Sequence, residues 1–280
     1  MNQKFKVILI ISLYVILSAF AFPTKTTWIA IGDSITYLND HLDETGDRVT
    51  QGYMSLVVKK IPGLEYKNQG HNGWTVVRIA KEIDKLNLKA ADIYTVFLGT
   101  NDWWAGESLG TIDDYKNGTG TSTVYGSYRV ITDKLKSLNA NAIVILISPM
   151  KRLDFIYYNN MGNNAYGSYR AKNGKDLAEF ANAVTEIGKF ENYKVIDLYN
   201  SNDFNYKNIV NFKRLKDPQT GYYKNYKYPA FIDIPFNPET DDYPYPHKAI
   251  NMTYDGLHPS DKGYQLIAKK IIKVMKPAIK

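Results

Sequence analysis

The 280-residue chain contains no cysteine and only four histidines. The first absence excludes a disulfide framework, a thiolate metal site and an acylated cysteine behind a leader. The second leaves His41, His71, His247 and His258 as the whole supply of imidazole bases. No Gly-x-Ser-x-Gly segment occurs, so the strained elbow that presents the nucleophile of ordinary α/β-hydrolases is missing too. Internal repeats and low-complexity tracts are also absent. Charge of one sign is nowhere massed. The 35 basic residues exceed the 28 acidic ones modestly and are scattered, as at Lys59-Lys60 and Lys269-Lys270. That pattern describes a solvated surface rather than a nucleic-acid footprint.

One long apolar run is present, from Val7 to Phe20. It is preceded by Lys4 and Lys6 and closed by Ala19-Phe20-Ala21. A basic start, an apolar middle and small residues at the cleavage point predict a secretory signal over residues 1–21, with the mature chain beginning near Phe22. The run is shorter than the ~20 residues a membrane-crossing helix needs, which argues against an uncleaved anchor. Export without cysteine is the expectation for a secreted or periplasmic bacterial protein with a self-sufficient core.

The remainder, residues 22–280, reads as one α/β domain. Apolar runs bounded by turn residues predict strands at Thr27 to Ile31, Leu64 to Asn68, Tyr94 to Leu98, Ala142 to Ser148 and Lys194 to Leu198. Helical periodicity falls between and after them, at Gly52 to Lys60, Thr75 to Leu86, Val124 to Leu138, Gly174 to Lys189 and Lys262 to Met275. Alternation of this kind predicts a parallel sheet inside an open three-layer α/β/α sandwich. Residues 202–253 differ, holding seven tyrosines and six of the eleven prolines. Proline density disfavours long helices there. Aromatic density disfavours disorder, so an ordered insertion lobe beside the site is expected.

Four blocks carry chemistry: Gly32-Asp33-Ser34, Asn68-Gln69-Gly70-His71-Asn72-Gly73, Gly99-Thr100-Asn101-Asp102 and Asp255-Gly256-Leu257-His258. The first three follow the first three strands, so they fall on the sheet edge where open α/β folds bind ligands. Ser34 supplies a candidate nucleophile, and His258 is the one histidine with an aspartate, Asp255, placed to orient it. The Ser34 amide, the Gly73 amide and the Asn101 side chain are candidate donors to a developing oxyanion. Taken singly, each block also reads as ordinary turn or capping chemistry; the combination makes the case.

In these blocks, Gly32-Asp33-Ser34-Ile35-Thr36, Asn68-x-Gly70-x-x-Gly73, Gly99-x-Asn101-Asp102 and Asp255-x-x-His258, the chain resembles the SGNH hydrolase superfamily, the GDSL-type esterases and lipases. The resemblance implies a flavodoxin-like fold with a five-stranded parallel sheet and ester hydrolysis through an acyl-enzyme without metal or organic cofactor. It also implies that Ser34, Asp255 and His258 are the catalytic residues and that Ser34, Gly73 and Asn101 form the oxyanion hole. Ile35 stands where leucine is usual, and the tyrosine-rich lobe has no counterpart in the minimal fold.

Asp33, Trp103 and Trp104 are the candidate substrate-binding residues. With export and abundant Tyr and Trp, they suggest short acyl groups, O-acetyl first, on carbohydrate, because aromatic faces stack on sugars. Three other functions compete: a lipase or lysophospholipase, a carbohydrate-binding protein on a retired scaffold, and a metal-dependent deacetylase using His71 or His247 with Asp33. The polar stretch from Tyr157 to Asn164 weighs against an apolar lipid groove.

Overall fold

A computed structural model describes residues 25–279. The signal segment expected at residues 1–21 lies outside the described residues. Five strands form the central sheet: β1 (Thr26–Gly32), β2 (Leu64–Gly70), β3 (Ile93–Phe97), β4 (Ile143–Ile147) and, later in the chain, β7 (Lys194–Ile196). All pair in parallel in the order β2-β1-β3-β4-β7, the doubly wound order of flavodoxin-like folds.

Period-two alternation divides the central strands between two cores. Ile29, Ile31, Tyr94, Val96, Val144 and Leu146 face one layer of helices. Trp28, Ala30, Ile93, Phe97, Ile145 and Ile147 face the other. The first layer comprises α3 (Val76–Glu82), α6 (Val124–Leu138) and α7 (Leu177–Glu191), and the second α2 (Tyr53–Val58) and α8 (Asp261–Met275). Local caps set where helices begin. Thr75 accepts from the Arg78 amide, Asp176 and Glu179 form a capping box, and Ser260 accepts from the Gly263 amide.

The remaining helices are short: α1 (Ser34–Tyr37), α4 (Thr100–Ala105) and α5 (Ile112–Asn117). Their sequences, Ser-Ile-Thr-Tyr, Thr-Asn-Asp-Trp-Trp-Ala and Ile-Asp-Asp-Tyr-Lys-Asn, carry too few spaced apolar residues to show a helical period, and none of the three is predicted above. Two hairpins also escape the sequence pattern: β5 (Phe155–Tyr157) with β6 (Asn160–Ala165), and β8 (Lys213–Lys216) with β9 (Tyr223–Tyr226). Among the described residues no helix is long and apolar enough to cross a membrane.

Residues 202–253 are ordered around their own small core, where Ile209, Val210, Leu215, Phe231 and Tyr245 join Leu153 and Ile156. This stretch contains no α-helix. It is tied to the 153–156 segment by polar anchors. Lys213, 3% exposed, pairs with Asp154 at 2.6 Å, and the Tyr243 hydroxyl donates to the Ile156 carbonyl at 3.1 Å. The lobe therefore buttresses the chain that packs against Asp255, and none of its residues lines the cavity described next.

Candidate active site

The C-terminal ends of β1, β2 and β3 deliver three of the four blocks to one cavity of about 390 Å³, whose lining includes Ser34, Gly73, Asn101 and His258. Ser34 is the first residue of α1, directly beyond β1. Asp33 caps that helix by accepting from the Ile35 amide at 3.0 Å, which holds Ser34 at the mouth of the turn. The fourth block arrives from the far end of the chain. His258 Nε2 lies 2.8 Å from Ser34 Oγ, and His258 Nδ1 lies 2.6 Å from Asp255 Oδ2.

Asp255 is fully buried, and its second oxygen accepts from the amides of Leu257 and His258 at 3.0 and 2.7 Å. Its carboxylate is thereby fixed within a tight turn. Ser260, not Asp255, caps α8, which removes the capping alternative for this aspartate. Gly256 makes the turn possible. Its φ is +90°, and a β-carbon there would lie 2.0 Å from the Asp154 carbonyl oxygen. Phe155 meets the imidazole edge-on at 5.3 Å and Tyr254 stacks at 5.9 Å, so apolar rings hold the base from two directions.

The donor side is assembled by a second network. Asn101 Nδ2 donates to the Trp74 carbonyl at 3.0 Å, which leaves one amide hydrogen for a ligand. Its neighbour Asp102 is fully buried and accepts from the amides of Val76 and Val77, clamping the third block to the start of α3. Gly73 sits between these anchors with φ +71° and open space where a β-carbon would be. Among the described residues neither the Ser34 nor the Gly73 amide has an acceptor, so both remain available to a ligand. Replacing Asn101 by Ala is expected to lower kcat on p-nitrophenyl acetate about 10²- to 10³-fold, measured against unchanged far-UV circular dichroism.

Two buried carboxyls carry raised pKa values. Burial lifts Asp33 to about 6, against the opposing pull of the Ile35 amide and His258. Burial lifts Asp102 to about 7 although the Val76 and Val77 amides favour its charged form. An acid whose pKa is higher folded than unfolded binds more protons in the folded state, so stability falls as pH rises from its ordinary value towards the folded one. Thermal unfolding is expected to show such a decline between about pH 4 and 7, and Asp102→Asn to flatten the upper part of it; an unaltered pH profile in that variant would contradict the assignment.

Two of the three substrate-binding expectations need correction. Asp33 is 3% exposed, does not line the cavity and acts as a helix cap. Trp103 is fully buried in the core, with its indole N–H donating to the Lys175 carbonyl at 2.9 Å. Trp104 does line the cavity, edge-on to Tyr166 at 4.8 Å and beneath the Lys172 ammonium at 4.0 Å. Consecutive residues on a helix point about 100° apart, so one indole enters the core while the next reaches the ligand.

The residues named for a metal-dependent reading do not converge. His71 stacks on Trp74 at 4.2 Å, and His247 lies in an exposed turn. Among the described residues no three His, Asp or Glu side chains are grouped to hold a metal ion. Sequence reasoning missed Arg152, Phe155 and Leu257 in the lining. None lies in a spacing that marks a site except Leu257, which occupies a variable position of the last block.

A doubly wound sheet carrying a serine, a histidine and an aspartate in hydrogen-bonded series at its carboxyl edge defines a serine-dependent ester hydrolase. Residues 30–266 match the GDSL-like Lipase/Acylhydrolase family, and the chain belongs to that family. Among solved structures it is similar to a protein from Chitinophaga pinensis described as a possible lipase, with 56% identity and a TM-score of 0.89 over 90% of this chain and 98% of that one. Two more distant structures share the fold. One is a Lactobacillus plantarum protein at 17% identity and TM-score 0.58, covering 91% of this chain and 98% of that one. The other is a mutant of the acetyl-xylooligosaccharide esterase Axe2 from Geobacillus, at 17% identity and TM-score 0.50, covering 90% of this chain and 94% of that one. No curated protein matches the chain.

Proposed function

We propose that this ester hydrolase is exported and removes short acyl groups, acetyl first, from carbohydrate. The observation that carries the reading is the composition of the cavity around Ser34: limited in volume, with Trp104 on one wall and the amides of Asn163 and Asn164 on the β6 strand of the short hairpin. An indole beside amide groups suits a sugar ring, whose C–H groups pack against the aromatic ring while its hydroxyls hydrogen-bond. The apolar run before Ala19-Phe20-Ala21 supports export.

The mechanism follows the hydrogen-bonded series. Ser34 Oγ attacks the ester carbonyl while its proton passes to His258 Nε2, and Asp255 stabilises the imidazolium that results. The carbonyl oxygen becomes an oxyanion, accepted by the Ser34 and Gly73 amides and the Asn101 side chain. His258 then protonates the departing alcohol, leaving an acyl group on Ser34. Water attacks that acyl-enzyme as His258 takes its proton, and the acid and free serine are released.

A second reading, hydrolysis of lipid esters, has one observation in its favour: Leu38, Phe155 and Leu257 give part of the same wall an apolar character. Chain length separates the two. With p-nitrophenyl esters from acetyl to octanoyl, kcat/KM is expected to fall as the acyl group lengthens, and acetate is expected to be released from acetylated xylan or pectin. Rates that hold level or rise to octanoyl, with no acetate from either glycan, would favour the lipid reading.

A further inference from the structure

The loop after β4 places a cation in the wall of the Ser34 cavity. Arg152 is 2% exposed and belongs to the cavity lining. Its guanidinium carbon lies 5.1 Å from the ring centroids of both Trp103 and Trp104, and Nη2 donates to the Tyr166 carbonyl at 2.8 Å. These contacts occupy one side of the group and one nitrogen. Nε is buried without an acceptor, and among the described residues Nη1 has none either.

No carboxylate oxygen stands within 4.0 Å of this guanidinium among the described residues. Asp154 and Asp255 act on it only from a distance, with Asp154 committed to Lys213 and Asp255 to His258. Glu44 is the one acidic residue of the lining, and it accepts from the Tyr37 hydroxyl at 2.8 Å. Lys213 makes the contrast plain, because that cation is equally buried and has its own carboxylate at 2.6 Å. Burial lowers the Arg152 pKa to about 10, which still leaves it charged at neutral pH. A buried charge without a counter-ion is costly, and one on a cavity wall is relieved by an anionic ligand. The guanidinium edge also matches a carboxylate geometrically, offering two parallel donors.

We propose that Arg152 selects an ester bearing a carboxylate, carried either by the acyl group or by the sugar next to the scissile bond. The proposal rests on the reading of the Ser34 cavity as an acyl-ester site. In the complex the carboxylate lies across the Nη1–Nη2 edge, taking a hydrogen from Nη1 and the Nη2 hydrogen that the Tyr166 carbonyl leaves free, while the guanidinium rests against the Trp103 and Trp104 rings.

Paired substrates test this with the purified protein. For the acyl side, monoethyl succinate is compared with ethyl butyrate; for the sugar side, acetylated oligogalacturonide is compared with acetylated xylo-oligosaccharide. One anionic member is expected to exceed its neutral counterpart about tenfold or more in kcat/KM, chiefly through KM, and the pair that responds identifies where the carboxylate sits. Arg152→Gln should reduce the anionic substrate by at least about tenfold more than the neutral one, and Arg152→Lys should retain part of the preference. A residue that only props the wall would lower both members in parallel, which overturns the proposal, as does a wild-type enzyme without anionic preference in either pair.

Should Arg152→Gln not fold, the unmodified enzyme decides. Galacturonate or succinate is expected to inhibit competitively and its methyl ester much less, whereas equal inhibition, or none, sinks the idea. An enzyme active on p-nitrophenyl acetate yet indifferent to anions refutes this inference alone. Absence of p-nitrophenyl acetate hydrolysis would refute the underlying functional reading.

Discussion

Ser34→Ala is expected to lose about 10⁶-fold in kcat on p-nitrophenyl acetate and all labelling by a serine-directed fluorophosphonate. The expectation follows from the 2.8 Å approach of Ser34 Oγ to His258 Nε2, whose one hydrogen-bond partner among the described residues is that hydroxyl. Ser34 is only partly buried, so removal of its oxygen opens no large void and the melting temperature should shift little. Residual hydrolysis from the Ser34 and Gly73 amides and Asn101 is expected to persist above the uncatalysed rate. Turnover within about a hundredfold of the unmodified enzyme, together with labelling, would remove Ser34 as the nucleophile. Chelators are expected to have no effect on the unmodified enzyme.

The second large effect concerns tautomer rather than contact. Asp255→Asn preserves an oxygen for the Leu257 and His258 amides, so the turn should survive. Its new NH₂ group, however, faces His258 Nδ1, where Asp255 Oδ2 now accepts a hydrogen bond at 2.6 Å. The imidazole would then carry its proton on Nε2, the nitrogen that has to accept the serine proton, and kcat should fall about 10⁴-fold. The fall should be largest near neutral pH and smaller under strongly alkaline conditions, where hydroxide can assist deprotonation of the serine. A loss under tenfold would mean that Asp255 serves the turn and not the base.

Arg152 adds a separate axis to these experiments. In the proposed scheme Ser34 and Asp255 control whether any ester is cleaved, whereas Arg152 controls which ester is preferred. The substrate pairs therefore remain interpretable even where absolute rates are low.

Much of the site was legible because its parts are local. The unbroken apolar run from Trp28 to Ile31 places a buried strand, and Gly32-Asp33-Ser34 immediately beyond it reads as a sharp exit into a turn or a helix start. The same holds for Asp255-Gly256-Leu257-His258, where an aspartate three residues before a histidine closes a turn on two backbone amides. Asp33 misled because a cap and a ligand-binding acid look identical in sequence: both are polar residues at a strand exit. Only its burial separates them. The Trp103-Trp104 pair misled for a geometric reason, since adjacent helical positions diverge and the sequence does not state which one faces inward.

Arg152 was beyond reach for another reason. Nothing around it in the chain is unusual, and its character comes from Trp103, Trp104 and Tyr166, which meet it only after the sheet has formed.

The amino-acid order alone determined the parallel sheet, the five helices that flank it, the four blocks and the edge on which three of them gather, because strand period, caps and turns are interactions among near neighbours. Tertiary structure decided what those blocks face. Folding brings Ser34 and His258, 224 positions apart, to hydrogen-bonding distance, seats the tyrosine-rich lobe behind the 153–156 segment, and leaves a buried guanidinium without a counter-ion on the cavity wall. Burial and long-range pairing depend on the whole packed chain, and no local stretch encodes them.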